Sequence, residues 1–251
     1  HEAAEPRRQE LFRRLNVAPG GTRVLVQMRT HLLRTLDRHE ERSAIDADLA
    51  HLFRSWFNRG FLVLQRVDWR TSALILERLI EYEAVHQIQG WDDLHRRLEN
   101  DRRCYAFFHP ALPDEPLIFV EAALTAAVAG QVQPLIDPLS KVKDPATARC
   151  AMFYSITNCQ EGLRGVSFGN FLIKQVVADL SSEFPRLRTF STLSPIPAFR
   201  TWLADQPGLM SHGLRAALAD IRHARALSPA PPEVKDEITR LCAYYLLRAK
   251  Q

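Results

Sequence analysis

Apolar residues recur at three- and four-residue spacing over the first fifty positions: Leu11, Phe12 and Leu15, then Val24, Leu25, Met28, Leu32, Leu33 and Leu36. That period lays the apolar side chains along one face of a helix, and Pro19-Gly20-Gly21 breaks the pattern into two helices. A third helix is predicted from Asp46 to Trp56, ending near Asn58-Arg59-Gly60. The opening is therefore all-helical. From residue 61 the pattern changes: FLVLQRVDW (61–69) is short and rich in Val, Leu and aromatic residues, which predicts a strand. Thr71 and Ser72 then cap a helix, SALILERLIEYEAV.

A further helix, Trp91 to Leu98, leads to RCYAFFH (103–109) and LIFVEAALT (117–125), two apolar runs on either side of Pro110, Pro113 and Pro116. They are expected as strands joined by a hairpin-like connection. ARCAMFYSIT (148–157) predicts another strand, followed by the loop NCQEGLRGVSFG (158–169) and the helix NFLIKQVVADLSSEF (170–184). RLRTFSTLS (186–194) reads as a strand, Pro195-Ile196-Pro197 breaks it, and the remainder is helical. Neither an internal repeat nor a low-complexity segment is present. The fold class expected is α+β, with a helical segment over 1–58 and a mixed sheet with flanking helices over 59–251.

Composition narrows the function. The 251 residues are 46% hydrophobic and 25% charged, enough to bury a substantial core, and no apolar run approaches the roughly 18 residues of a membrane span. Lys and Arg total 33 against 29 Asp and Glu, interleaved along the chain, a balance that suits a small anionic ligand better than a duplex. Cys104, Cys150, Cys159 and Cys242 lie far apart without a zinc-like spacing and are read as reduced thiols. With no hydrophobic leader at the first residues, an intracellular setting is expected. No metal, nucleic-acid or membrane partner is expected.

The loop at 158–169 carries the first candidate chemistry. Gly162, Gly165 and Gly169 between a strand and a helix let the backbone approach a ligand, and N–H groups at a helix start attract phosphate. A purely structural turn is the alternative. Strand, Gln160-x-Gly162-x-x-Gly165 loop, helix, strand and helix, in that order, resemble the coenzyme A core of GNAT-type acyltransferases.

A closer resemblance follows from HPALPDEPLIFVEAALT (109–125), FYSITNCQEGLRGVSFGNFLIKQVV (153–177) and TFSTLSPIPAFRTWL (189–203), with WFNRGFLVL (56–64) and YEAVHQIQGWDDLHRRL (82–98). These segments resemble the signature segments of malonyl-CoA decarboxylases, in the same order and over most of the chain. The resemblance implies a GNAT-like catalytic domain, malonyl-CoA as substrate, acetyl-CoA as product, no cofactor and a homo-oligomer. It places the coenzyme on Cys159, Gln160, Glu161, Gly162, Leu163, Arg164 and Gly165, with its diphosphate on the N–H groups of residues 163–167.

It also implies a catalytic serine in LSPIP, matched here by Ser194. Ser191, earlier on the strand, is the near alternative, and a helix-capping role is the competing reading. His109, at the end of an apolar strand, is the candidate proton donor or carboxylate ligand, against a structural hydrogen-bonding role. Glu121 is expected to be hydrogen-bonded or solvent-facing, and His86 and His95 to lie at a surface or a domain interface. A partner histidine in a segment resembling FHLGNGA and a tyrosine near an NYLY-like terminus also belong to the family pattern. Neither occurs in these 251 residues, so a piece of a longer chain is expected. Its location is expected to be the bacterial cytoplasm, with mitochondrial matrix or peroxisome as alternatives.

Overall fold

In the computed structural model, the described residues are 7–35, 40–166, 168, 171–223 and 231–249. Three helices open the chain: α1 (Arg7–Val17), α2 (Gly21–Leu33) and α3 (Glu40–Trp56). Then come β1 (Val63–Val67), α4 (Ala73–Tyr82), α5 (Trp91–Arg97), β2 (Arg102–Phe108), β3 (Ile118–Thr125) and the short α6 (Gln133–Ile136). The chain continues through β4 (Cys150–Asn158), α7 (Phe171–Glu183) and β5 (Thr189–Thr192) to α8 (Phe199–Ala204), α9 (His212–His223) and α10 (Pro232–Tyr244). The α+β expectation is met. Ser72 caps α4 as expected, its hydroxyl accepting from the Ile75 N–H at 3.4 Å.

The five strands form one sheet in the order β1-β2-β3-β4-β5. The first four are antiparallel neighbours, and β5 lies parallel to β4. The β1-to-β2 connection carries α4 and α5, β2 and β3 are joined by residues 109–117, and the β3-to-β4 connection carries α6, whereas the β4-to-β5 connection must cross the sheet and does so through α7.

Both faces are covered, which is why β2 and β3 are apolar almost throughout instead of alternating. On one face, Tyr105, Phe107, Val120, Ala122 and Phe153 share a core with Phe12, Leu25, Leu52 and Phe53 from the first three helices and with Val176 and Leu180 of α7. On the other, Val67, Cys104, Ala106, Phe108 and Phe119 pack against Leu76, Leu79 and Leu94 of α4 and α5.

Compactness divides the chain into residues 1–194 and 195–251. The opening helices thus belong to the same compact unit as the sheet. The second unit gathers Phe199, Leu203 and Tyr245 into its own small core, and the Tyr245 hydroxyl donates to the Pro197 carbonyl at 2.9 Å.

Candidate active site

One irregularity shapes the middle of the sheet. The β3–β4 register runs Ala122↔Phe153 and then Glu121↔Ser155, so Tyr154 is an extra residue on β4. Such a bulge bends its strand and changes which face the following side chains occupy. Tyr154 and Ser155 both face α4 and α5, and alternation resumes with Ile156 and Asn158 on the α7 side.

β5 keeps its pairing with β4 only from Cys150↔Thr189 to Phe153↔Thr192, with one further bond from the Leu193 N–H to the Phe153 carbonyl at 2.8 Å. Beyond the bulge, β4 pairs along β3 alone, and the two parallel strands part. On the α7 side of the sheet, a cavity of ≈ 280 Å³ is walled by Ile118 and Val120 of β3, Ile156 and Asn158 of β4, and Leu172 and Ile173 of α7. Sequence patterning missed these residues, because a one-residue bulge leaves no trace in the order of apolar positions; Asn158, a polar residue closing an apolar strand, was the available cue.

Ser194 follows Leu193 and is exposed. Strand alternation puts Phe190 and Thr192 on the α7 side and Ser191, opposite Met152, on the other. Ser191 thus points away from the α7 side of the sheet. Ser194 lies two residues beyond the end of β5, outside the strand pairing.

The loop after β4 is anchored on α2. Gly162 and Leu163 are buried in a 3-10 turn (Glu161–Leu163) against α2. A Cβ on Gly162 would overlap the Val26 carbonyl oxygen and come to 2.8 Å from Thr30 Oγ1. Arg29, buried on α2, donates to the carbonyls of Gly162 (2.8 Å) and Arg164 (2.9 Å) and pairs with Asp46. Here the structural-turn reading accounts for the glycine.

The N–H groups of Leu163, Arg164 and Val166 already donate to carbonyls of Gln160, Glu161 and Leu163, so they are committed inside the loop. The expected row of free donors over residues 163–167 is interrupted at those three positions. Glu161 pairs at the surface with Arg34, and the Gln160 amide donates to the Pro116 carbonyl. Burial pushes the Cys159 thiol well above its ordinary range, leaving it protonated and unreactive. Arg164 and Gly165 remain exposed; Gly165 holds φ +78 with open space around it. Ser167, Gly169 and Asn170 lie outside the described residues.

His109 is occupied. Its Nδ1 accepts from the Ala111 N–H at 3.1 Å, which leaves the proton on Nε2 to donate to the Trp56 carbonyl at 3.1 Å. Phe57 and Phe61 flank the ring, and burial pulls its pKa below the usual histidine value despite the bond to Trp56. The ring is a neutral clamp between the end of α3 and the turn after β2. As a proton donor to substrate it would have to release one of these bonds, so the structure favours the hydrogen-bonding alternative.

The opposite face holds a polar layer. Arg97 donates to Glu121 (2.8 Å), Asp93 (3.1 Å) and the His86 carbonyl (2.7 Å). Glu83 accepts from Ser155, Thr157 and two backbone N–H groups. Glu121, fully buried, is thus hydrogen-bonded as one of its two expected settings required. His86 is half-buried and His95 is exposed, paired with Glu99.

With this geometry in place, relatives decide the family. Residues 1–57 match the malonyl-CoA decarboxylase N-terminal domain and residues 60–251 the malonyl-CoA decarboxylase C-terminal domain. The chain belongs to the malonyl-CoA decarboxylase family. It is 40% identical over 207 residues to the mitochondrial malonyl-CoA decarboxylase of Rattus norvegicus, covering 80% of this chain and 42% of the rat protein. The crystal structure of malonyl-CoA decarboxylase from Rhodopseudomonas palustris superposes with a TM-score of 0.90 at 50% identity, covering 99% of this chain and 62% of that one. The Cupriavidus metallidurans malonyl-CoA decarboxylase gives 0.76 at 38% identity, covering 99% and 67%. The chain therefore spans about two fifths of its curated relatives' length.

Proposed function

We propose that this chain carries the acyl-coenzyme A site of a malonyl-CoA decarboxylase, and that the substrate enters where β4 and β5 part. The observation that carries the reading is the bulge at Tyr154 and the opening it makes, in a chain of this family. The unpaired side of β4 past the bulge offers backbone donors and acceptors to an extended amide-bearing tail such as that of coenzyme A. Arg164 and Gly165 stand at the loop beside it, suited to the diphosphate. The ≈ 280 Å³ cavity has room for the acyl end and not for the coenzyme, which suits a short acyl group.

In the reaction, the bond between the carboxylate carbon and the α-carbon breaks and CO2 leaves. The electron pair passes into the thioester as an enolate, and a proton added at the α-carbon gives acetyl-CoA. On this reading Ser194 donates its hydroxyl to the enolate oxygen, where a well-aimed donor lowers the barrier by about 2.7–4 kcal/mol. Binding of the distant coenzyme tail holds the acyl group at that donor. The thioester itself accepts the electrons, so the reading calls for no cofactor. The family resemblance assigns protonation to a histidine beyond these 251 residues. His109 serves by holding α3 to the sheet.

A homo-oligomer in the bacterial cytoplasm completes the proposal. Among the described residues no helix is long and apolar enough to cross a membrane. The test is to incubate full-length protein with malonyl-CoA and no acceptor. Equimolar CO2 and acetyl-CoA are expected; acyl transfer only on adding an amine would overturn the reading.

A further inference from the structure

A larger cavity, ≈ 710 Å³, opens at the other end of the sheet, where β2 begins, β3 ends and β4 begins. Asn158 lies eight residues further along β4, about 26 Å away at strand rise. Arg96, Arg102, Lys141 and Lys143 line this second cavity, with Asp101 as the carboxylate among them.

Asp101 is buried and its oxygens are fully engaged. It takes Arg96 through Nη1 (2.8 Å) and Nη2 (3.3 Å), Arg102 through Nη1 (3.0 Å) and the Lys143 N–H (3.0 Å). Arg102 spends Nε and Nη2 on the Leu135 carbonyl, at 2.9 and 2.6 Å. Two guanidiniums, each 3% exposed, thus share one carboxylate. A buried positive charge is left over, and that is costly without a counter-charge. Burial, with Arg96 adding to it, pushes Arg102 below its ordinary pKa, as a cation short of negative neighbours should be.

Arg96 Nε is itself buried and has no partner among the described residues. A donor in that state loses about 1–3 kcal/mol relative to a satisfied one. Leu124, Ala127, Pro134 and Leu135 supply apolar wall, with Thr125, Gln131 and Ser140 among the remaining lining residues, and the volume falls in the range of small-molecule sites.

We propose that this cavity binds an organic phosphate monoester, its dianion taken by Arg96, Lys141 and Lys143 and its carbon body by the apolar wall. The site is independent of the decarboxylation reading. Phenyl phosphate is the probe, titrated by calorimetry into full-length protein saturated with coenzyme A. The expected result is one equivalent bound at least threefold more tightly than inorganic phosphate. The Lys141→Ala/Lys143→Ala variant, altered only at exposed positions, should bind at least tenfold more weakly. No heat, or equal affinity in the double variant, would overturn the proposal.

Discussion

Glu121 sits inside the sheet with Arg97 on one oxygen and no partner, among the described residues, on the other. Burial pushes its carboxyl from 4.5 up to about 7, and the attraction of Arg97 offsets only part of that. The folded state therefore keeps a proton that the unfolded chain releases near 4.5. Its contribution to stability is full below that value and is lost as pH rises through about 7. Glu121→Gln should remove this decline, so wild type should lose about 1–3 kcal/mol relative to the variant between pH 5 and 8. Denaturation midpoints of both proteins at the two pH values measure it; parallel profiles would show that Glu121 stays ionised throughout. The sequence marked this residue as an acid in an apolar strand, but its partner Arg97 was not foreseeable, because α5 and β3 meet only in the folded chain.

In the loop after β4, Gly162 and Gly165 differ in what surrounds them. Gly162 is pressed against α2, so Gly162→Ala should cost about 1–3 kcal/mol of stability, read as a lower melting temperature. Gly165 needs only its left-handed backbone. Gly165→Val should cost about 1–2 kcal/mol through φ and should weaken coenzyme A at least tenfold by calorimetry. Full coenzyme affinity in the Gly165 variant would remove this part of the loop from the site.

The same element shows what pattern can tell. Strand, loop and helix were legible from apolar runs and glycines, and so was the capping of α4 by Ser72. The packing of the loop on α2 was not, since residues 26–30 and 162–164 are far apart in sequence. Nor was the bulge, which depends on register with β3. Of RLRTFSTLS only Thr189–Thr192 pairs as a strand, because the partner strand bends away.

At the scale of the whole molecule, one sheet has two ends with different chemistry: a small cavity between β3, β4 and α7 at one, and an excess of buried cations at the other. The opening helices pack on the sheet in the first compact unit, so their integrity bears on the site. Arg29 is the link, reaching from α2 to the loop carbonyls and to Asp46 of α3. Arg29→Met should lower the melting temperature and weaken coenzyme A together, whereas a change in the melting temperature alone would separate the helices from the site. Membership of the family was legible in the signature segments, and LSPIP pointed to Ser194. That Ser191 faces away from the α7 side required the register of β5 against β4.

The reading turns on the Ser194 hydroxyl, and steady-state kinetics of full-length Ser194→Ala on malonyl-CoA test it most directly. Removing a donor that acts chiefly on the enolate should lower kcat by about 100-fold or more while KM stays within about threefold. A variant with near-normal kcat would contradict the placement of this serine at the reacting oxygen.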